Sequence, residues 1–296
     1  MTASIEPSWA APADGAAPLP GARVPDSAAR VPDFFLVGHP KCGTTALYRM
    51  LRGHPQVYMS DVKEPCFLAP ELLSPFRKPR MGRRPETLEE YLALFAPASP
   101  RQRAGEASSS YLMSRTAAGR IAELQPAARI VAILREPASF LRSLHLQNVQ
   151  VHVEAERDLG RALALEGERR QGRHIPPRSP RPQALLYSEH VRYVEQLRRF
   201  HAVFAAEQVL VLIYEDFRRE NEATVRRVLR FLEVDDTQPI DAIEANPTVG
   251  VRSQRLHQAV QAVSVGAGPV SRAVKASVKA LTSRRLRRAG LRAVRR

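Results

Sequence analysis

Phe34-Phe-Leu-Val-Gly38-His-Pro-Lys41-Cys-Gly43-Thr-Thr45 decides the reading of this chain. The continuous apolar run Phe34–Gly38 has strand length and predicts a strand buried on both faces, as in a parallel sheet. The run breaks at Gly38 into a short loop. Thr44-Thr-Ala-Leu-Tyr-Arg-Met-Leu51 then predicts a helix over 44–52, with Leu47, Met50 and Leu51 on one face. Strand, glycine-bounded loop and helix N-terminus together make an anion site, because free backbone N–H groups and the positive end of the helix dipole converge there. The spacing is close to the nucleotide triphosphate loop Gly-x-x-x-x-Gly-Lys-Ser/Thr. It departs at one position: Thr44 follows Gly43, and the lysine comes two residues before that glycine, at Lys41. A phosphate ligand other than a magnesium-bound triphosphate is therefore expected.

Working outward, 57–59 reads as a short strand, 129–134 as a second buried strand and 208–214 as a third, with Val-Leu-Val-Leu-Ile at its centre. Helices are expected over 87–95, 116–124, 138–149 and 221–232. A long amphipathic helix is expected over 188–206, with Val191, Val194, Leu197 and Phe204 inward. Strands alternating with helices predict an α/β fold: a single P-loop-like domain with a central parallel sheet flanked by helices. Residues 68–84 and 151–182 read as loops that choose the acceptor. Within the second, Gly172–Pro182 is too proline-rich for helix or central strand. It is either a lid over the acceptor or an ordinary surface connection.

Pro40-Lys41-Cys42-Gly43-Thr44-Thr45 resembles the 5′-phosphosulfate loop of sulfotransferases that use 3′-phosphoadenosine 5′-phosphosulfate (PAPS). Other pieces of that family follow in order. Leu51-Arg-Gly-His54-Pro55 resembles the segment after the first helix, and Lys63-Glu64-Pro-Cys66-Phe67 the Lys-Glu-x-x-Phe segment of carbohydrate-type members. Gly105-Glu106-Ala-Ser-Ser-Ser-Tyr111 resembles Glu-x-Ser-Pro-x-Tyr, and Arg135 with Ser143 eight residues on resembles the 3′-phosphate motif. The resemblance spans roughly residues 32–255, flanked by a flexible leader over 1–30 and a basic helical tail over 256–296.

The resemblance implies sulfuryl transfer from PAPS to a hydroxyl of a sugar or small natural product. By analogy with phosphoryl transfer, such a reaction needs positioning, charge stabilisation on the leaving phosphate and a base for the acceptor proton, with no metal required. It implies Lys41 as the leaving-group cation, and Cys42, Gly43, Thr44 and Thr45 at the 5′-phosphate. Arg135 and Ser143 fall to the 3′-phosphate, with Arg252 in a late loop as a further phosphate contact. Glu64 is the implied general base, with Glu106 as rival and His145 a weaker candidate; His54 looks structural. The chain departs from the carbohydrate-type pattern at Ala107, where lysine is usual, and at Ser109, where proline is usual. The missing lysine argues against a heavily anionic acceptor.

Composition bounds the alternatives. The 296 residues are 44% apolar, enough for a sizeable core. The two cysteines, Cys42 and Cys66, form no CxxC pair, so reduced thiols are expected rather than a zinc site or a disulfide. Net charge is +15, but the twelve Arg and Lys after Glu244 meet no acidic residue and carry most of it. Nucleic-acid binding is therefore not implied for the body of the chain. The tail's apolar residues Val270, Val274, Val278 and Leu281 share one helix face. That face could give weak contact with an anionic membrane, or pack on the domain. No signal peptide or spanning segment is legible, so a cytoplasmic enzyme is expected, and the Ala-, Arg- and Pro-rich composition suits a GC-rich bacterial genome. A P-loop kinase and a basic membrane- or polyanion-binding protein on a degenerate nucleotide fold remain as alternatives.

Overall fold

A computed structural model describes residues 29–72, 84–177, 179 and 182–241. Five parallel strands form the sheet: β1 (Phe34–Gly38), β2 (Val57–Met59), β3 (Arg103–Glu106), β4 (Arg129–Leu134) and β5 (Val209–Ile213), in the spatial order β2-β3-β1-β4-β5. The helices are α1 (Thr44–Arg52), α2 (Leu88–Ala93), α3 (Ala117–Leu124), α4 (Pro137–Gln150), α5 (Leu159–Ala164), α6 (Glu166–Arg170), α7 (Tyr187–His190), α8 (Tyr193–His201), α9 (Tyr214–Arg219) and α10 (Asn221–Phe231).

Alternate side chains of β1 enter opposite cores. Phe35 and Val37 join α2, α3 and α8 on one face, and Phe34 and Leu36 join α1, α4, α9 and α10 on the other. Burial on both faces is why β1 and β4 read as unbroken apolar runs. From β1 the chain crosses to β2, and from β4 it crosses to β5 on the other side. The crevice beyond the C-terminal ends of β1 and β4 is thus the topological switch point, where open α/β sheets bind ligands.

β3 was not expected. It is short, carries two charged residues and a glycine, and shows no strand periodicity. Its glycine is what admits it beside β1: a Cβ on Gly105 would lie 2.2 Å from the Phe34 ring. The helix expected over 188–206 is broken. α7 ends at His190 and α8 restarts at Tyr193, so the face shifts: Val194 is 64% exposed while Gln196 and Phe200 are buried. A polar residue faces inward because it finds partners there, described below. Part of the acceptor loop expected over 151–182 is helical. Asp158 caps α5 by accepting from Arg161 N, and α6 carries Arg169 into a buried pair with Glu154 at 2.8 Å. Tyr187 Oη also donates to Glu154, at 3.1 Å. Much of the leader, residues 73–83, part of Gly172–Pro182, Arg252 and the basic tail lie outside the described residues.

The Glu154–Arg169 pair ties the segment after α4 to α6. Arg169→Met would leave Glu154 buried without its cation, and a loss of about 3–5 kcal/mol is expected in urea unfolding. A loss below about 1 kcal/mol would show that the pair does not hold this segment.

Candidate active site

The loop between β1 and α1 is built for an anion. Lys41 and Gly43 have φ of +73° and +83°, so the chain turns sharply before the helix. Gly43 is the N-cap of α1 and no side chain caps that end, which leaves first-turn N–H groups for a ligand. Gly43 also has no room for a side chain, since a Cβ would lie 2.8 Å from Tyr214 Cδ2. Thr44 is buried and Thr45 half-buried in the first turn. Cys42 is turned away: its N–H donates to His39 O at 3.3 Å, and its thiol lies in the core, where burial pushes its pKa up to about 12.

Arg135 leaves the end of β4 beside this loop. Its Nη1 donates to Lys41 O at 3.1 Å, and its guanidinium lies 4.8 Å from the centre of the Tyr214 ring. Glu215 Oε1 is 3.8 Å from Arg135 Nε, and that buried Nε has no hydrogen-bond partner among the described residues. The ion pair is thus with Glu215, not with neighbouring Glu136, which instead caps α4 by accepting from Ala138 N and Ser139 N. A buried guanidinium N–H with donor capacity to spare, next to an uncapped helix N-terminus, suits a ligand with two phosphate groups. Ser143 is the seventh residue of α4 and is buried.

His39, Tyr193, Gln196, Tyr214 and Glu215 were missed as site residues. α8 spans both anion-binding segments: Tyr193 Oη donates to Arg135 O at 2.9 Å, and Gln196 Oε1 meets His39 Nε2 at 2.7 Å. Gln196 Nε2 donates to Glu189 O and His190 O, so its oxygen faces His39 and His39 Nε2 carries the proton. Desolvation lowers the His39 pKa to about 4, so the ring is neutral. Tyr214 and Glu215 had a usable signal, the C-terminal end of an apolar strand, whereas a buried Gln196 on an amphipathic helix had none.

A second cluster of candidate residues lies past β2 and β3. Glu64 Oε1 accepts from Lys63 Nζ and from Ser109 Oγ, both at 2.8 Å. Glu106 is fully buried. Its Oε2 accepts from Tyr91 and Tyr111 hydroxyls, each at 2.8 Å. Desolvation raises its pKa to about 7, partly offset by the hydroxyls of Ser108, Tyr91 and Tyr111. The other two candidates are engaged in the scaffold. His145 Nε2 bonds Glu156 O at 2.9 Å. His54 Nδ1 accepts from Gln56 N, which leaves Nε2 to donate to Asp235 O at 2.7 Å.

The sulfotransferase family profile matches residues 32–238. The chain belongs to the sulfotransferase family. A crystal structure of a sulfotransferase from Alicyclobacillus acidocaldarius is similar to this family member, with 31% identity and a TM-score of 0.61 over 74% of this chain and 87% of that one. Mouse carbohydrate sulfotransferase 15 is 26% identical over 251 residues, 68% of this chain and 44% of that protein. The human protein of the same name is 42% identical over 65 residues, 22% of this chain and 12% of that protein. This sulfotransferase family member thus spans less than half the length of these curated relatives. No helix among the described residues is long and apolar enough to cross a membrane.

Two buried groups give stability an opposed pH dependence. Folding raises the Glu106 pKa from 4.5 to about 7, so its contribution is full below pH 4.5 and lost as pH rises through 7. Folding lowers the His39 pKa from 6.5 to about 4, so its contribution is full above pH 6.5 and lost as pH falls towards 4. Glu106→Gln removes the first and keeps the second. Its unfolding free energy should rise more steeply than wild type between pH 4.5 and 6.5. Equal slopes in urea titrations across that range would refute the buried-acid assignment.

Proposed function

We propose that this chain transfers a sulfuryl group from PAPS to a hydroxyl of a sugar or small natural product, in the cytoplasm of a bacterium and as part of secondary metabolism. The observation that carries the reading is the Arg135–Lys41 hydrogen bond, which sets two separate anion-binding elements side by side at the switch point. A single phosphate would fill only one of the two elements, whereas a nucleotide phosphorylated at 3′ and 5′ has a group for each.

Bound PAPS supplies the sulfuryl group and leaves as 3′-phosphoadenosine 5′-phosphate. In this reading the N–H groups of Gly43, Thr44 and Thr45 and the two threonine hydroxyls hold the 5′-phosphate. Cys42, whose N–H is already committed to His39 O, shapes the turn instead. Arg135 and Ser143 hold the 3′-phosphate; Arg252, the further phosphate contact that the resemblance implies, lies outside the described residues. Lys41 places an ammonium on the left-handed turn of the loop, where it stabilises negative charge on the leaving phosphate. Glu64 takes the proton of the acceptor hydroxyl. Its hydrogen bonds from Lys63 and Ser109 favour the carboxylate, the form a base requires. Glu106, closed in by Tyr91 and Tyr111, supports the fold of this region. Ala107 in place of a lysine favours an acceptor without dense negative charge.

Isothermal titration with 3′-phosphoadenosine 5′-phosphate, without magnesium, tests the reading. Micromolar binding is expected, falling at least tenfold with Arg135→Ala, on the order of the 1.5–3 kcal/mol of a charged hydrogen bond. Binding of ATP with magnesium in its place would overturn the proposal in favour of a kinase.

A further inference from the structure

Three consecutive serines fasten one short segment of the site. Ser108 Oγ accepts from Cys66 N at 3.0 Å, Ser109 Oγ donates to Glu64 Oε1 at 2.8 Å, and Ser110 Oγ lies 3.4 Å from Cys66 Sγ. The backbone joins in, with Glu64 N donating to Ala107 O at 3.0 Å. The fastened segment is an unusual one. Glu64 and Cys66 have φ of +62° and +55°, left-handed backbone that L-residues rarely adopt. Such a conformation persists only where its surroundings hold it, and here the holding groups are these side chains.

Ser108 shows that the arrangement is directed at the segment. It is the N-cap of the 3₁₀ turn Ser109–Leu112, yet its side chain makes no cap hydrogen bond and accepts from Cys66 N instead. Ser109 is itself buried, at 2% exposure, so its hydroxyl has little access to solvent and is committed to Glu64. Ser109 is also one of the two positions where this chain departs from the carbohydrate-type pattern, and the proline usual there has no side-chain donor.

We propose that Ser109 is a positioning residue for Glu64: its hydroxyl and the Lys63 ammonium together hold Oε1, which sets the plane of the carboxylate and keeps it in the basic form. The role of Glu64 as base rests on the function proposed above. A carboxylate that accepts two short hydrogen bonds on one oxygen loses rotational freedom about its last torsion and is stabilised relative to the acid. Lys63 restrains that torsion less than a fixed hydroxyl does, because an ammonium on a long flexible stem can follow the carboxylate as it turns. The serine hydroxyl comes from a different segment, behind β3, and cannot follow. Among the described residues, the charged and titratable groups facing Glu64 include Lys63 and Cys66 on its own segment, the Cys66 thiol 4.0 Å from Oε2, and Glu106 on β3.

The test is a carboxyl ¹³C NMR titration of the full chain labelled at glutamate Cδ, with the Glu64 resonance identified by its loss in Glu64→Gln. Ser109→Ala should move the Glu64 midpoint upward by about half to one unit. Ser110→Ala, which leaves the carboxylate bonds intact, should move it by less than half as much. Binding of 3′-phosphoadenosine 5′-phosphate should stay within about twofold of wild type in both variants, since the hydrogen bonds of both serine hydroxyls go to Glu64 and Cys66, not to Lys41–Thr45 or Arg135. An unmoved midpoint in Ser109→Ala overturns the proposal. So does a Ser109→Ala variant that loses nucleotide binding as well, which would show a general structural role. If the wild-type chain binds no such nucleotide, the functional reading fails while the titration still decides whether Ser109 holds Glu64.

Discussion

The pairing of β1 with β4 is the constraint on which the site depends. The two strands run parallel in register from Phe34 opposite Arg129 to Gly38 opposite Ile133, so both end at the same sheet edge. The chain leaving β1 becomes the His39–Gly43 loop, and the chain leaving β4 becomes Arg135 and the start of α4. A slip of one residue would turn every side chain of one strand to the wrong core and carry Arg135 away from Lys41 O. Burial of Phe34, Phe35, Leu36 and Val37 on both faces makes such a slip costly, at roughly 1.5–3 kcal/mol for each large apolar side chain left in water. The hydrophobic cores therefore set the spacing of the loop after β1 and of Arg135.

A second layer of polar contacts fixes what the sheet has brought together. Tyr193 and Gln196 reach from α8 to Arg135 O and His39, and Tyr214 lies against both Gly43 and Arg135. These groups are neutral, so they hold the loops without competing for an anion. Glu215 is the exception, and its 3.8 Å separation from Arg135 Nε is longer than a hydrogen bond. The Glu64 segment is built differently. There Glu64 is held through side-chain hydrogen bonds across two segments, on a backbone in left-handed conformation. The loop after β1 and Arg135 are held by packing and by hydrogen bonds from α8, the Glu64 segment by side-chain hydrogen bonds.

Glu64 and Glu106 show how environment separates two carboxylates that the sequence left as first choice and rival for the base. Glu64 stands beside an ammonium and a serine, while Glu106 is enclosed by Tyr91 and Tyr111 at zero exposure. Desolvation dominates at Glu106 and raises its pKa to about 7. His145, a weaker candidate from the sequence, and His54, read there as structural, are both committed to backbone carbonyls in the fold.

The sequence by itself determined the strongest elements, because β1, β4 and β5 carry their own burial in an unbroken apolar run and α1 carries its own start in a glycine-threonine junction. It also placed Lys41, Arg135 and Glu64 in motifs whose order along the chain pointed to the family. It could not show β3, whose only qualification is that Gly105 lets Phe34 lie across it. Nor could it show the break between α7 and α8, which turns Gln196 inward to partners at His39, Glu189 and His190. Local pattern encodes which segments must leave water. Which polar group meets which across separate segments depends on distances that exist only after the cores have closed.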